Sequence, residues 1–247
     1  MLTNTFIHID GISYRKEQQL WKKGFKSWWD VLERWKDLPF GEKKNEEVLK
    51  EIKRSINSFK NDDIKYFLKR LKYRDYWRVL THYRKEIGYL DIETSMEGEI
   101  TLIGLFVGGN FYLYKSGDDY LKLEKMFSIP TILVSFNGQT FDIPRIKKEF
   151  PFLSLPDYHF DLFRASKSIG WKGGLKKLEE QFLIERSGKV KNLTGYDAVL
   201  LWQDYKNGSK DSLNILIEYN MFDVVNLEKL TNIFLERKKE EYRNILS

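Results

Sequence analysis

A chain of 247 residues, 42% hydrophobic and 32% charged, is long enough to bury a sizeable core, as one large domain or a small one beside a medium one. It has no cysteine, which excludes disulfides and thiolate metal sites. It also has no apolar run near the roughly 20 residues that a membrane span needs, and no signal-peptide pattern at Met1-Leu2-Thr3, so a cytoplasmic protein without membrane contact is expected.

The net charge of +6 is unevenly placed. Residues 1–88 carry 21 Lys and Arg against 13 Asp and Glu, and the remainder 21 against 23. A basic segment beside an acidic one suits a nuclease, where Lys and Arg attract phosphates and carboxylates hold metals. A Lys-rich solvated surface from a biased genome accounts for the same charge, because only two alanines occur, Ala165 and Ala198.

In chain order, Ile7–Ile12 reads as a run that turns at Gly11. A helix is predicted from about Tyr14 to Lys23 with Gly24 as its C-cap, and another from Trp28 to Lys36 with Ser27 as its N-cap. From about Asn45 to Glu86 the pattern is helical in two pieces. In the second, Tyr73, Tyr76, Trp77, Leu80 and Tyr83 recur at helical spacing, as expected of aromatics that pack against the next domain. The period becomes strand-like at Gly88. Strands are predicted at Tyr89–Thr94, Ile100–Val107, Phe111–Lys115, Thr131–Phe136 and Tyr158–Leu162. Helices are predicted at Pro144–Phe150, Leu175–Phe182, Ala198–Lys206 and Ser212–Arg237. The fold class is therefore α/β, a mixed sheet flanked by helices, preceded by a small all-α basic module over 1–88 and occupying 89–247.

Alternate residues of a strand share a face, so Asp91 and Glu93 in YLDIETS project together. Two such carboxylates repel unless a cation lies between them, and Mg²⁺ or Mn²⁺ prefers oxygen ligands. Asp142, in SFNGQTFDIP, serves either as a third ligand or as a cap on the helix that follows. Tyr219 and Asp223, four apart in YNMFDVV, share a helical face. Thr94, Asn137 and Phe141 are candidates to contact substrate beside these acids, Asn137 by hydrogen bonding and Phe141 by stacking on a terminal base.

In order and spacing these segments resemble the DnaQ-like 3′–5′ exonuclease superfamily, with its RNase H-like fold. Asp91, Glu93, Asp142 and Asp223 match its four-acid signature, and Tyr219, four before the last acid, matches the tyrosine subtype (DEDDy), since Glu218 stands where the histidine subtype has His. The chain is more closely similar to the YprB-type RNase H-like domain, through YLDIETS, LVSFNGQTFDIP, Asp161-Leu162, LKKLEEQF and YNMFDVVNL, over roughly 86–235. The resemblance implies two Mg²⁺ or Mn²⁺ ions at the scissile phosphate. Asp91 would touch both, Glu93 one, Asp223 would complete the first site, and Asp142 would hold the second through water. His159 is read as structural, and Asp161, outside the four-acid set, as supporting the site or the fold.

HIDGISYRKEQQLWKKGFKSWWDVL resembles a helix-hairpin-helix element, which would let Gly11 present backbone N–H groups to DNA phosphate, although Ser13 stands where a second glycine is usual. Packing of Trp21, Phe25, Trp28 and Trp29 is the alternative for that hairpin. Lys172 and Arg186, among the basic residues of 164–191, either line a strand path or form a solvated edge. The expected function is metal-dependent 3′–5′ exonucleolysis of nucleic acid, single-stranded DNA favoured and RNA possible. Its rivals are a structure-specific RNase H-like endonuclease, a non-catalytic nucleic-acid-binding scaffold and a protein-interaction domain.

Overall fold

The computed structural model describes residues 1–186 and 188–246. Their contacts divide the chain into two compact units, one formed by Met1–Arg84 with the segment from Leu235 onward, the other by Lys85–Phe234.

The first unit is helical: α1 (Tyr14–Lys22), α2 (Trp28–Arg34), α3 (Glu42–Lys60), α4 (Ile64–Leu68) and α5 (Trp77–Leu80). Ser13 and Ser27 cap α1 and α2, the latter through a capping box with Asp30. Between them Gly24, at φ +84°, ends α1 in a Schellman turn in which the Gly24 and Phe25 amides donate to the Trp21 and Leu20 carbonyls. Trp28, fully buried, stacks on Phe67 and donates its indole N–H to the Thr5 carbonyl at 2.7 Å.

The amphipathic helix predicted around Tyr73–Tyr83 is broken. Tyr73–Asp75 is a single 3₁₀ turn, and α5 is one turn long. Tertiary bonds override the helical spacing here. The Asp75 carboxylate accepts from the Tyr14 hydroxyl and lies 3.8 Å from Arg78. Arg78, with no exposed surface, makes two 2.9 Å bonds to Glu17 and donates to the Tyr242 hydroxyl at 2.8 Å.

The second unit holds a five-stranded mixed sheet in the order β3-β2-β1-β4-β5, formed by β1 (Ile87–Thr94), β2 (Ile100–Val107), β3 (Asn110–Lys115), β4 (Ile132–Ser135) and β5 (Tyr158–Asp161). β1 is central, antiparallel to β2 and parallel to β4. Five helices come after the β2–β3 hairpin: α6 (Tyr120–Ser128), α7 (Asp142–Glu149), α8 (Leu162–Lys167), α9 (Leu175–Gln181) and α10 (Gly195–Lys206). The long α11 (Lys210–Leu246) follows and contributes residues to both units. This is the mixed sheet flanked by helices that the strand pattern predicted, after a helical N-terminal region.

Two of these helices, α6 and α8, were not predicted. Asp119 caps α6, whose Leu123, Met126 and Phe127 are buried, and Asp161 caps α8. α11 runs nine residues beyond the predicted end at Arg237. Ion pairs Lys239–Glu236 at 2.6 Å and Lys238–Glu241 at 2.7 Å, together with the bond from Arg78 to Tyr242, support the extension.

One face of the sheet packs Leu90, Ile92, Ile103, Leu105 and Leu133 against α6 and Ile146 of α7. The opposite face packs Leu102 against Ala198, Trp202, Leu216 and Tyr219 of α10 and α11. Among the described residues no helix is long and apolar enough to cross a membrane.

Candidate metal centre

Alternation along β1 sends Leu90 and Ile92 into the α6 side of the core, which leaves Asp91 and Glu93 on the face that α11 covers. Asp91 lies opposite Gly104 of β2, and Glu93 lies opposite Leu102. Gly104 is there because a helix residue needs its space: a Cβ would stand 1.9 Å from Asn220 Oδ1. Asn220, fully buried, passes over this gap and donates from Nδ2 to Asp91 Oδ2 at 3.1 Å and to Glu93 Oε1 at 3.5 Å. Three residues further along α11, Asp223 completes the cluster. Oxygens of Asp91, Glu93 and Asp223 all lie within 4.8 Å of one another.

Asp142 arrives separately, as the first residue of α7, and is 5% exposed. The loop before it is held from behind. Asp161 accepts from the amides of Asn137 (3.0 Å) and Gln139 (3.2 Å) and from those of Phe163 (3.0 Å) and Arg164 (3.4 Å), joining the loop to the start of α8. Ser135 Oγ bonds His159 Nε2 at 2.7 Å and accepts from the Gly138 amide at 3.1 Å. Gly138 has no room for a side chain, since a Cβ would stand 2.2 Å from Ser135 Oγ and 3.0 Å from Asp142 Oδ2. Asp161 thus ties the loop before Asp142 to α8, and His159 holds Ser135 beneath that loop.

All four carboxyl groups are pushed above the usual carboxylate range, and burial is the first cause in each. For Asp91 the charges of Asp223, Glu93 and Asp142 add to it. Glu93 is raised further by Asp223 and Asp142, against the Asn220 bond. Asp142 rises to about 7, its rise tempered by its own N–H and that of Ile92. Asp223 reaches about 6, held there by Arg186. Such a cluster of buried acids is short of positive charge, and hard oxygen donors at this spacing fit a divalent cation.

Tyr219 is 5% exposed on the same face of α11, its hydroxyl pushed well above its ordinary value by burial and then by Asp223, Glu93 and Asp91. Lys176 Nζ lies 4.6 Å from the centre of its ring and the Arg186 guanidinium carbon 5.4 Å.

The remaining predicted residues fall in several places. Thr94 is half-buried at the end of β1, where a bulge separates it from Glu93. Asn137 takes the left-handed φ of +67° and accepts from the Thr140 hydroxyl at 2.9 Å. Phe141 is 40% exposed, with Arg145 over its ring at 4.3 Å, in a cleft of about 730 Å³ that also includes Thr140, Pro144 and Lys148.

Lys172 is exposed in the turn before α9. Arg186, read from sequence as part of a basic strand path or solvated edge, is only 6% exposed. It bonds both Glu179 oxygens at 2.8 Å and ion-pairs with Asp223. In the other unit, Gly11 turns the hairpin at φ +74°. It lines a groove of about 710 Å³ with Lys50, with Lys44, which pairs with Glu47, and with Arg54 and Arg70, which pair with Glu51. Ser13, in place of a second glycine, caps α1.

Sequence reasoning missed Asn220 and Glu179, and counted Lys176 only among the basic residues of 164–191 that line a strand path or form a solvated edge. Only Asn220 had a signal, the lone glycine in the apolar strand TLIGLFV, which marks a close approach.

The RNase_H superfamily model matches residues 88–235. No curated protein matches the chain. Among solved structures it is similar to the family B DNA polymerase of the hyperthermophilic archaeon Pyrobaculum calidifontis, at 14% identity and a TM-score of 0.47 over 62% of this chain and 24% of that one. The chain thus matches about a quarter of that polymerase. It is also similar to the apo form of a nuclease, at 19% identity and a TM-score of 0.45, over 65% of this chain and 76% of that one. A third likeness is to the Aedes aegypti Nibbler EXO domain, at 16% identity and a TM-score of 0.35 over 66% and 87%.

Proposed function

The chain belongs to the RNase H superfamily, and from that premise we propose that it is a metal-dependent 3′–5′ exonuclease of the DEDDy type, acting on nucleic acid and foremost on single-stranded DNA. The observation that carries this reading is the convergence of Asp91, Glu93 and Asp223 within 4.8 Å, Asp91 half-buried and the other two buried, drawn from two distant elements. Buried acids that repel one another cost stability, so their retention calls for a bound cation.

Asp91, Glu93 and Asp223, with Asp142 from the α7 side, would hold two ions, Mg²⁺ or Mn²⁺. Bound there, the ions would supply an activated water and stabilise the leaving 3′ oxygen. The protein does the rest. The Tyr219 hydroxyl, kept protonated by its surroundings, orients the attacking water. Asn220 fixes the Asp91 and Glu93 carboxylates. Phe141, with Arg145 over one face of its ring, offers a partly exposed surface on which the terminal base stacks, and Asn137 and Thr94 are further candidates to contact substrate. The YprB-type likeness belongs to this reading, as does the division into a basic module over 1–88 and a nuclease domain over 89–247. The groove at Gly11 lets the basic module grip phosphates, and the lack of cysteine suits a cytoplasmic protein.

The test is incubation with 5′-labelled single-stranded DNA and RNA in Mn²⁺ or EDTA, beside Asp91→Ala. A metal-dependent ladder shortening from the 3′ end, absent with the folded variant, is expected. A single internal product would mean an endonuclease. Equal activity in Asp91→Ala would remove the carboxylate centre from the mechanism, and no cleavage with binding intact would leave a scaffold.

A further inference from the structure

Two cations beside the carboxylates keep donors that no group among the described residues uses. Arg186 spends Nε and Nη2 on Glu179 and turns Nη2 to Asp223 as well, while Nη1 is buried and without a partner among the described residues. The guanidinium is planar, so Nη1 lies next to Nη2 along the edge of the fork that faces Asp223. Lys176 Nζ, from α9, is likewise buried and unpartnered, and its charge is felt by Glu93 and Asp223. Both cations rest on the ring of Tyr219. Buried donors left unsatisfied are costly, and two of them against one tyrosine ring, with their charges felt by Asp223, are not accounted for by packing.

We propose that Lys176 Nζ and Arg186 Nη1 form an oxyanion site that binds a non-bridging oxygen of the substrate phosphodiester. This rests on the reading of the centre as a metal nuclease and assigns phosphate recognition to two residues outside the four acids. Before metal binds, the two cations offset part of the carboxylate charge. Once divalent ions neutralise the carboxylates, the spare N–H groups face surroundings poor in negative charge, and an anionic oxygen is the ligand they fit. Arg186 is anchored by Glu179, so its donor is held in place rather than recruited on binding.

The experiment compares wild type with Lys176→Met, which keeps an unbranched stem and removes the charge, and with Arg186→Lys, which keeps a cation beside Glu179. Dissociation constants are measured in Ca²⁺ for a short 5′-labelled oligonucleotide of whichever polymer the wild type cleaves. Its 3′-terminal linkage is either phosphodiester or uncharged methylphosphonate. Mn²⁺ affinity and thermal midpoint are measured without nucleic acid. Wild type should lose about tenfold in affinity on going to methylphosphonate, the scale of one charge-assisted hydrogen bond. Lys176→Met should bind the phosphodiester about tenfold more weakly than wild type and show almost no further loss with methylphosphonate, with Mn²⁺ affinity retained. Arg186→Lys should show the same non-additivity. Losses that simply multiply, in variants that fold and bind Mn²⁺, would overturn the oxyanion site and leave the metal centre standing. A wild-type protein that binds neither Mn²⁺ nor oligonucleotide would overturn both.

Discussion

Replacing Asp142 by asparagine removes one charge from the carboxylate cluster and preserves the shape of the side chain. Burial, with the charge of Asp161 added, raises Asp142 from 3.8 to about 7 in the metal-free fold. The folded protein therefore keeps a proton there over a range where the unfolded chain has lost it. The sign follows: the contribution is fully present below about pH 3.8 and is lost as pH rises through about 7. At about 1.4 kcal/mol for each pH unit between the two values, the ionised carboxylate costs the fold about 4 kcal/mol. The amide of the variant has no such proton to lose.

Urea denaturation in EDTA should thus show the Asp142→Asn variant gaining on wild type by about 4 kcal/mol between about pH 4 and about pH 8. His8 slopes the other way, since burial lowers it to about 3, but it is common to both proteins and drops out of the difference. Mn²⁺ at pH 8 should shrink the gap by supplying the missing positive charge to wild type. A difference that stays flat with pH would mean that Asp142 ionises in the fold as it does in water, and the account of the cluster as a charge-starved site would fail.

Gly104→Ala should destabilise by about 1–3 kcal/mol, because its Cβ would meet Asn220 Oδ1 at 1.9 Å. Asn220→Ala in the same chain should recover most of the loss, and thermal melts of the three variants decide it. Glu17→Gln leaves the buried Arg78 with only the more distant Asp75 carboxylate and should cost about 3 kcal/mol. Adding Arg78→Met should restore much of that in urea titrations. Tyr219→Phe should slow cleavage by about 100-fold at unchanged Mn²⁺ affinity, measured by calorimetry, and a fully active variant would exclude its hydroxyl from catalysis.

The parts of the centre that were legible in the sequence obey a local period. Asp91 and Glu93 follow from a strand repeat of two. Tyr219 and Asp223 follow from the helical repeat, and the loop before Asp142 was announced by Asn137, Gly138 and Pro144. What escaped depends on contacts between distant segments. Asn220 is an ordinary polar helix residue until Gly104, far away in sequence, opens the sheet beneath it. Arg186 looks like one more basic residue in a Lys-rich stretch until Glu179 and Asp223 enclose it. The broken helix at Tyr73–Tyr83 has the same cause. Its aromatics do have helical spacing, but the bonds of Asp75 and Arg78 outweigh a propensity worth tenths of a kcal/mol per residue.

The order in which the acids occur along the chain governs when the centre can exist. Asp91 and Glu93 lie on β1, Asp142 at the start of α7, and Asp223 on α11, about 130 positions further along the chain than Asp91. During synthesis the N-terminal portion of a chain begins to fold before the rest has been made. Until α11 has emerged and docked, a ribosome-bound fragment has two or three of its carboxylates and neither Asn220 nor Tyr219. Proteolysis that removes α11 strips the centre in the same way. A carboxylate centre divided between β1 and α11 thus comes into being only once α11 has docked, and the proposed cleavage would wait on that step.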